Sequence, residues 1–133
     1  MKLNCVYECN SCKYKDLDYS ETLIRKTNFL KNKLADYKDY ITGIEFASEN
    51  EIINYRKKVV LTCGFSENEW KIGLYSNKNI VEIPDCKIQN TIVNKAVNLV
   101  KASLPSYSEF PLKYYVQNNE AVCLVVKSKF KKI

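Results

Sequence analysis

Cys5-Val6-Tyr7-Glu8-Cys9-Asn10-Ser11-Cys12 is the stretch around which the rest of the chain is arranged. Three cysteines fall within eight residues, in the order C-x3-C-x2-C. A fourth, Cys86, stands far downstream in Ile83-Pro84-Asp85-Cys86-Lys87. Read together, Cys5, Cys9, Cys12 and Cys86 form one candidate metal site that staples the N-terminal loop to the middle of the chain. Thiolates are soft ligands, and four of them suit zinc or an iron–sulfur cluster. The paired C-x2-C spacing of a zinc ribbon is absent. Three ligands on one loop with one remote ligand favour a [4Fe-4S] cubane, with zinc as the second choice. Free structural thiols are the bland alternative, but three cysteines in a polar loop are poor core residues.

Cys63 and Cys123 lie in apolar runs and are expected to be small buried hydrophobes without a nucleophilic role. The chain contains no histidine. That excludes Cys2His2 zinc sites and Ser-His or Cys-His nucleophile pairs. No run approaches the ~18 apolar residues of a membrane span. The N-terminus lacks the apolar stretch of a secretory signal. A cytoplasmic location is expected, and in a reducing cytosol clustered cysteines point to metal rather than disulfides. Net charge is +6, and ten tyrosines accompany it. That combination is compatible with an RNA partner, through phosphate neutralisation and base stacking, and equally with a solvated lysine-rich surface.

At 133 residues the chain is expected to be a single domain, 1–133. Its parts are a cysteine loop at 1–16, a helix at 17–38, a sheet over 52–127 with a helix at 89–103, and a basic tail at 128–133. Asp18 and Glu21 have capping-box spacing, and Leu23, Thr27, Leu30 and Leu34 follow at helical intervals. Three β-rich runs separated by polar turns at 66–69 and 76–79 read as a meander. On the second helix, Ile92, Ala96 and Leu99 with Val93, Val97 and Val100 form one apolar face. Residues 113–126 read as a hairpin. The fold class is therefore α+β, an antiparallel sheet of about five strands with two main helices and a metal-stapled loop.

Read as an ordered set, these features resemble the RNA (uracil-5-)-methyltransferases, in particular the [4Fe-4S]-bearing subgroup acting on 23S ribosomal RNA. Cys9-Asn10-Ser11-Cys12 runs into Lys13-Tyr14-Lys15-Asp16-Leu17-Asp18-Tyr19 and a helix, as in that family. Asn54-Tyr55-Arg56-Lys57-Lys58-Val59 is similar to its Tyr-Arg-Asn-Lys motif, with Lys57 replacing the asparagine. Ile72-Gly73-Leu74-Tyr75 and then Ile80-Val81-Glu82-Ile83-Pro84-Asp85-Cys86 follow in its order. The family spacing is commonly C-x5-C-x2-C, one departure from this chain.

The resemblance implies the central, cluster-bearing domain of such enzymes. Its site residues would be Cys5, Cys9, Cys12 and Cys86 for the cluster, with Tyr55, Arg56, Lys57 and Lys58 for RNA. Lys127, Lys129, Lys131 and Lys132 would add electrostatic affinity. None of Gly43, Gly64 and Gly73 forms a cofactor-cradling turn, and none of Pro84, Pro105 and Pro111 sits in the family's catalytic loop. The chain alone is thus expected neither to bind S-adenosylmethionine nor to carry a catalytic residue. It would position RNA, ribosomal by the resemblance, for a separate methyltransferase subunit or domain. A small [4Fe-4S] electron-transfer protein and a zinc-stapled RNA-binding module are the alternatives.

Overall fold

Ser66-Glu67-Asn68-Glu69 and Ser76-Asn77-Lys78-Asn79 are the two tight turns on which the sheet is folded. Each holds two consecutive left-handed residues: Glu67 and Asn68 at φ 55° and 64°, Asn77 and Lys78 at φ 49° and 71°. Paired positive φ values match the right-handed twist of the flanking strands. They connect β1 (Val59–Ser66), β2 (Glu69–Ser76) and β3 (Asn79–Glu82) as the expected meander. The computed structural model describes residues 1–107, 109–119 and 121–126.

A hairpin of β4 (Leu112–Gln117) and β5 (Val122–Val126) joins the free edge of β1. The result is one antiparallel sheet in the order β3-β2-β1-β4-β5. Gly73 sits where β2 and β3 approach most closely: a Cβ there would lie 2.0 Å from the Val81 carbonyl oxygen. The α+β class with five antiparallel strands is as expected. The basic tail expected at 128–133, with Lys127, lies outside the described residues.

Two helices flank the sheet in sequence, α1 (Tyr19–Lys33) and α2 (Thr91–Ser103). A 3-10 turn at Ala35–Tyr40 continues from α1. The core lies between one face of the sheet and α2. Val59, Leu61 and Cys63 alternate inward from β1 and meet Trp70, Ile72, Leu112 and Tyr115. Val93 and Val97 close it from α2, while Ile83, Cys86 and Ile88 close it from the preceding loop. Each buried aliphatic side chain contributes about 1.5–3 kcal/mol relative to exposure.

Several expectations are corrected. The expected apolar face of α2 is narrower than six residues: only Val93, Val97 and Val100 pack inward, while Ile92 and Leu99 are 67% and 68% exposed. A helix lying on one side of a sheet has a single side to bury. Asp18 makes no side-chain cap on α1, because its carboxylate takes the Met1 ammonium at 3.3 Å. Glu21 turns instead to Arg25, one helical turn on, at 2.7 Å. The apolar residues of α1 do not form a buried seam: Thr22 is its buried residue, and Leu30 and Leu34 remain exposed. Cys123 is exposed on the outer strand β5. Among the described residues, no helix is long and apolar enough to cross a membrane.

Candidate metal centre and nucleic-acid interface

The loop between β3 and α2 carries Cys86, and α2 fastens it from one side. Asn90, Asn94 and Asn98 recur every four residues and so share one helical face. Asn90 caps the helix, its Oδ1 accepting from the Ile92 amide at 3.0 Å. Asn94 donates Nδ2 to the Cys86 carbonyl and Asn98 donates Nδ2 to the Pro84 carbonyl, each at 3.1 Å. The other end of the Asn94 amide, Oδ1, is buried without a hydrogen-bond partner among the described residues.

From the other side, residues 54–56 pair with the same loop. The Asn54 amide donates to Lys87, Arg56 to Ile88, and Asn90 back to Arg56, all at 2.8 Å. This makes an isolated parallel bridge between Arg56 and Gln89. The Tyr55-Arg56 segment and the Cys86 loop therefore form one hydrogen-bonded unit.

The cysteine loop is shaped by left-handed turns at Asn4 and Asn10 (φ 48° and 57°), a conformation asparagine tolerates. Three side-chain contacts hold it in place. Tyr7 donates its hydroxyl to Asp85. Asn10 Nδ2 donates to Ser76 Oγ at 3.0 Å. Lys15 Nζ donates to the Tyr7 carbonyl at 2.7 Å. The Asp85 hydrogen bond, with some burial, pushes the Tyr7 phenol up to about 12. Tyr7, Cys9 and Cys12 pack against the core cluster that contains Cys86.

Of the four candidate thiols, Cys9 and Cys12 pack against the core cluster that contains Cys86, and Cys5 acts on Cys12 electrostatically. Cys86 is buried, while Cys5, Cys9 and Cys12 are half-buried. Burial raises the Cys12 thiol above its ordinary range, and the charges of Cys86 and Cys9 raise it further. Arg56 opposes them, and Cys5 adds a smaller push. Among the described residues, no group of three or more His, Cys, Asp or Glu side chains is set to hold a metal ion. The donor chemistry nonetheless fits a thiolate-bound group. Four soft donors repel one another when ionised, and a bound cationic centre relieves that repulsion. Cys63 is buried in β1, its thiol pushed up to about 11 by burial.

Beside the thiols opens a cleft of about 570 Å3, bounded by α1, the Cys12–Tyr14 turn and Tyr55-Arg56. Of the four residues expected to touch RNA, Tyr55 and Arg56 line it. Lys57 instead borders a smaller hollow with Asn90 and Gln117, and Lys58 is exposed. Sequence reasoning missed Tyr14 and Lys26, which complete the cleft, and the Tyr7–Asp85 bond. The asparagine ladder on α2 was missed as well, although its four-residue spacing carried the signal.

No family model matches the chain. Over 111 residues it is 31% identical to an uncharacterized RNA methyltransferase of Clostridium acetobutylicum, covering 76% of this chain and 23% of that protein. Over 103 residues it is 33% identical to an uncharacterized RNA methyltransferase of Caldanaerobacter subterraneus subsp. tengcongensis, covering 73% of this chain and 23% of that protein. The chain spans about a quarter of the length of the curated relatives it matches. Across three quarters of its own length, then, this chain is similar to a segment of RNA methyltransferases.

Proposed function

We propose that the chain is an iron–sulfur-bearing RNA-binding module that positions an RNA substrate for methylation by a separate methyltransferase subunit or domain. The observation carrying this reading is the hydrogen-bonded unit of Tyr55-Arg56 and the Cys86 loop. A cation and an aromatic ring thus share backbone pairing with the Cys86 loop, so that ordering a metal centre there would also order the segment proposed to contact RNA.

Cys5, Cys9, Cys12 and Cys86 would hold a [4Fe-4S] cluster, and a zinc ion is the second candidate. When bound, the group supplies a cross-link between the N-terminal loop and the core. Four protein thiolates would suit such a group to a structural rather than a substrate-binding role. Arg56 offsets the negative charge of the thiolates from outside. Tyr55, Arg56, Lys57 and Lys58 would face RNA, with phosphate contacts giving affinity and aromatic contacts engaging unpaired bases. Support for RNA comes from the similarity to RNA methyltransferases and from the basic charge. A uridine of 23S ribosomal RNA, in the cytoplasm, is the substrate we infer from the resemblance.

Iron, zinc and acid-labile sulfide, measured on anaerobically purified protein, test the metal centre. About four irons and four sulfides per chain are expected. RNA affinity measured across a salt series tests the partner, and a steep fall with salt is expected. Protein lacking both metal and RNA affinity would overturn the proposal.

A further inference from the structure

The cleft beside Cys12 has the composition of a nucleotide site. Tyr14 and Tyr55 line it, as do Lys13, Lys26 and Arg56. Tyr55 is 54% exposed, so its ring is available without displacing the core. Lys13 Nζ lies 5.3 Å from the Tyr14 ring centroid, which fixes a positive charge on that wall. Lys26 and Arg56 enter no ion pair with a carboxylate among the described residues.

The one acidic side chain lining the cleft, Glu51, is engaged elsewhere. It accepts from the Ser48 amide at 2.9 Å and the Ser48 hydroxyl at 2.6 Å. Unpaired cations and aromatic rings around a concave, open space favour a ligand that is anionic at one end and flat at the other. A volume of about 570 Å3 lies in the range of small-molecule sites. It is far too small for a duplex, whose bases are in any case stacked away from such a cleft.

We infer that this cleft receives a single unpaired nucleotide of RNA. The base stacks on the Tyr55 ring with Tyr14 as the neighbouring wall, and Lys26 and Arg56 neutralise the adjoining phosphates. The inference rests on the RNA-binding reading above and adds the form in which RNA is taken: one extruded or single-stranded base, held next to the cysteine loop. Lys57 and Lys58 then serve the flanking backbone, outside the cleft.

The test uses the full chain, purified anaerobically, and a fluorescent five-nucleotide single-stranded RNA. A second RNA carries an abasic central nucleotide, and the third probe is a duplex. The expected result is tighter binding of the intact strand than of the abasic strand or the duplex. Tyr55→Ala should weaken the intact strand roughly 5- to 100-fold and erase the intact-to-abasic difference, while Tyr55→Phe retains both. Lys26→Gln should weaken all strands and reduce the salt slope by about one. Both residues are exposed, so thermal unfolding should be unchanged in these variants. If the intact and abasic strands bind alike and neither Tyr55→Ala nor Lys26→Gln matters, the cleft assignment is overturned while RNA binding through Lys57 and Lys58 stands. If no probe binds, both readings fall.

Discussion

Tyr7 donates its hydroxyl to Asp85 across 78 residues of sequence. One partner sits between Cys5 and Cys9, the other immediately before Cys86. The contact joins the same two loops that the candidate metal would join, using only protein atoms. Removing it should therefore loosen the loop even without metal. Tyr7→Phe is expected to lower apo stability by about 1 kcal/mol, as for a hydrogen bond to a charged group near the surface. Chemical denaturation of metal-free Tyr7→Phe, Asp85→Asn and the double variant checks this. Additive losses would show that the two side chains act independently.

Cys86→Ser should remove the metal and markedly lower the melting temperature, because metal binding is coupled to folding. Cys63→Ser and Cys123→Ser should leave metal content intact. Since Cys86 is buried, part of its loss reflects packing. Asn94→Ala separates the two effects: it leaves the thiol but removes the donor to the Cys86 carbonyl. Metal retention after chelator challenge should fall in Asn94→Ala. An unchanged half-life would mean that α2 does not position Cys86.

Legibility in the sequence followed the range of the interaction. The turns at 66–69 and 76–79 were readable because asparagine favours the left-handed backbone that hairpin loops require. The meander and hairpin followed from them. On α2, spacing showed apolar positions but not which would face the sheet, so Ile92 and Leu99 were grouped with the buried set. Asp18 has the right spacing for a cap, yet a stronger charge partner at Met1 takes its carboxylate. Tyr55 and Arg56 were readable as candidate contacts. Tyr14 and Lys26 were not, because only the folded loops bring them opposite residues about 30 to 40 positions away.

The β2–β3 register depends on an absent side chain. Gly73→Ala should destabilise by about 3 kcal/mol or more, since the new Cβ meets backbone that cannot yield cheaply. Lys78→Gly should act in the opposite direction. It removes the cost of a left-handed lysine, adding up to about 1 kcal/mol. Urea midpoints of the two variants give both values.

Alkaline pH should weaken the fold through Cys63. Its folded pKa, about 11, lies above the ordinary thiol value. A group whose folded pKa is raised stabilises fully below the unfolded value. That stability is lost as pH rises from about 9 to about 11, by an amount on the order of 2 kcal/mol. Cys63→Val should flatten this part of the stability profile relative to wild type. An unaltered slope would place the alkaline loss in other groups.

The separation of Tyr7 from Asp85 also sets an order of events during synthesis. Three thiols emerge early, but Cys86 follows Cys12, the last of them, only 74 residues later. At ribosomal rates of 5–20 residues per second, that interval is on the order of 4 to 15 s. Closing so long a loop is entropically costly until the meander and α2 supply the surface against which it closes. Unlike a short zinc finger, whose ion nucleates its own fold, a centre using all four cysteines could be completed only on a scaffold already formed. Any metal they take up would then enter late, with Cys5, Cys9 and Cys12 unligated until that point.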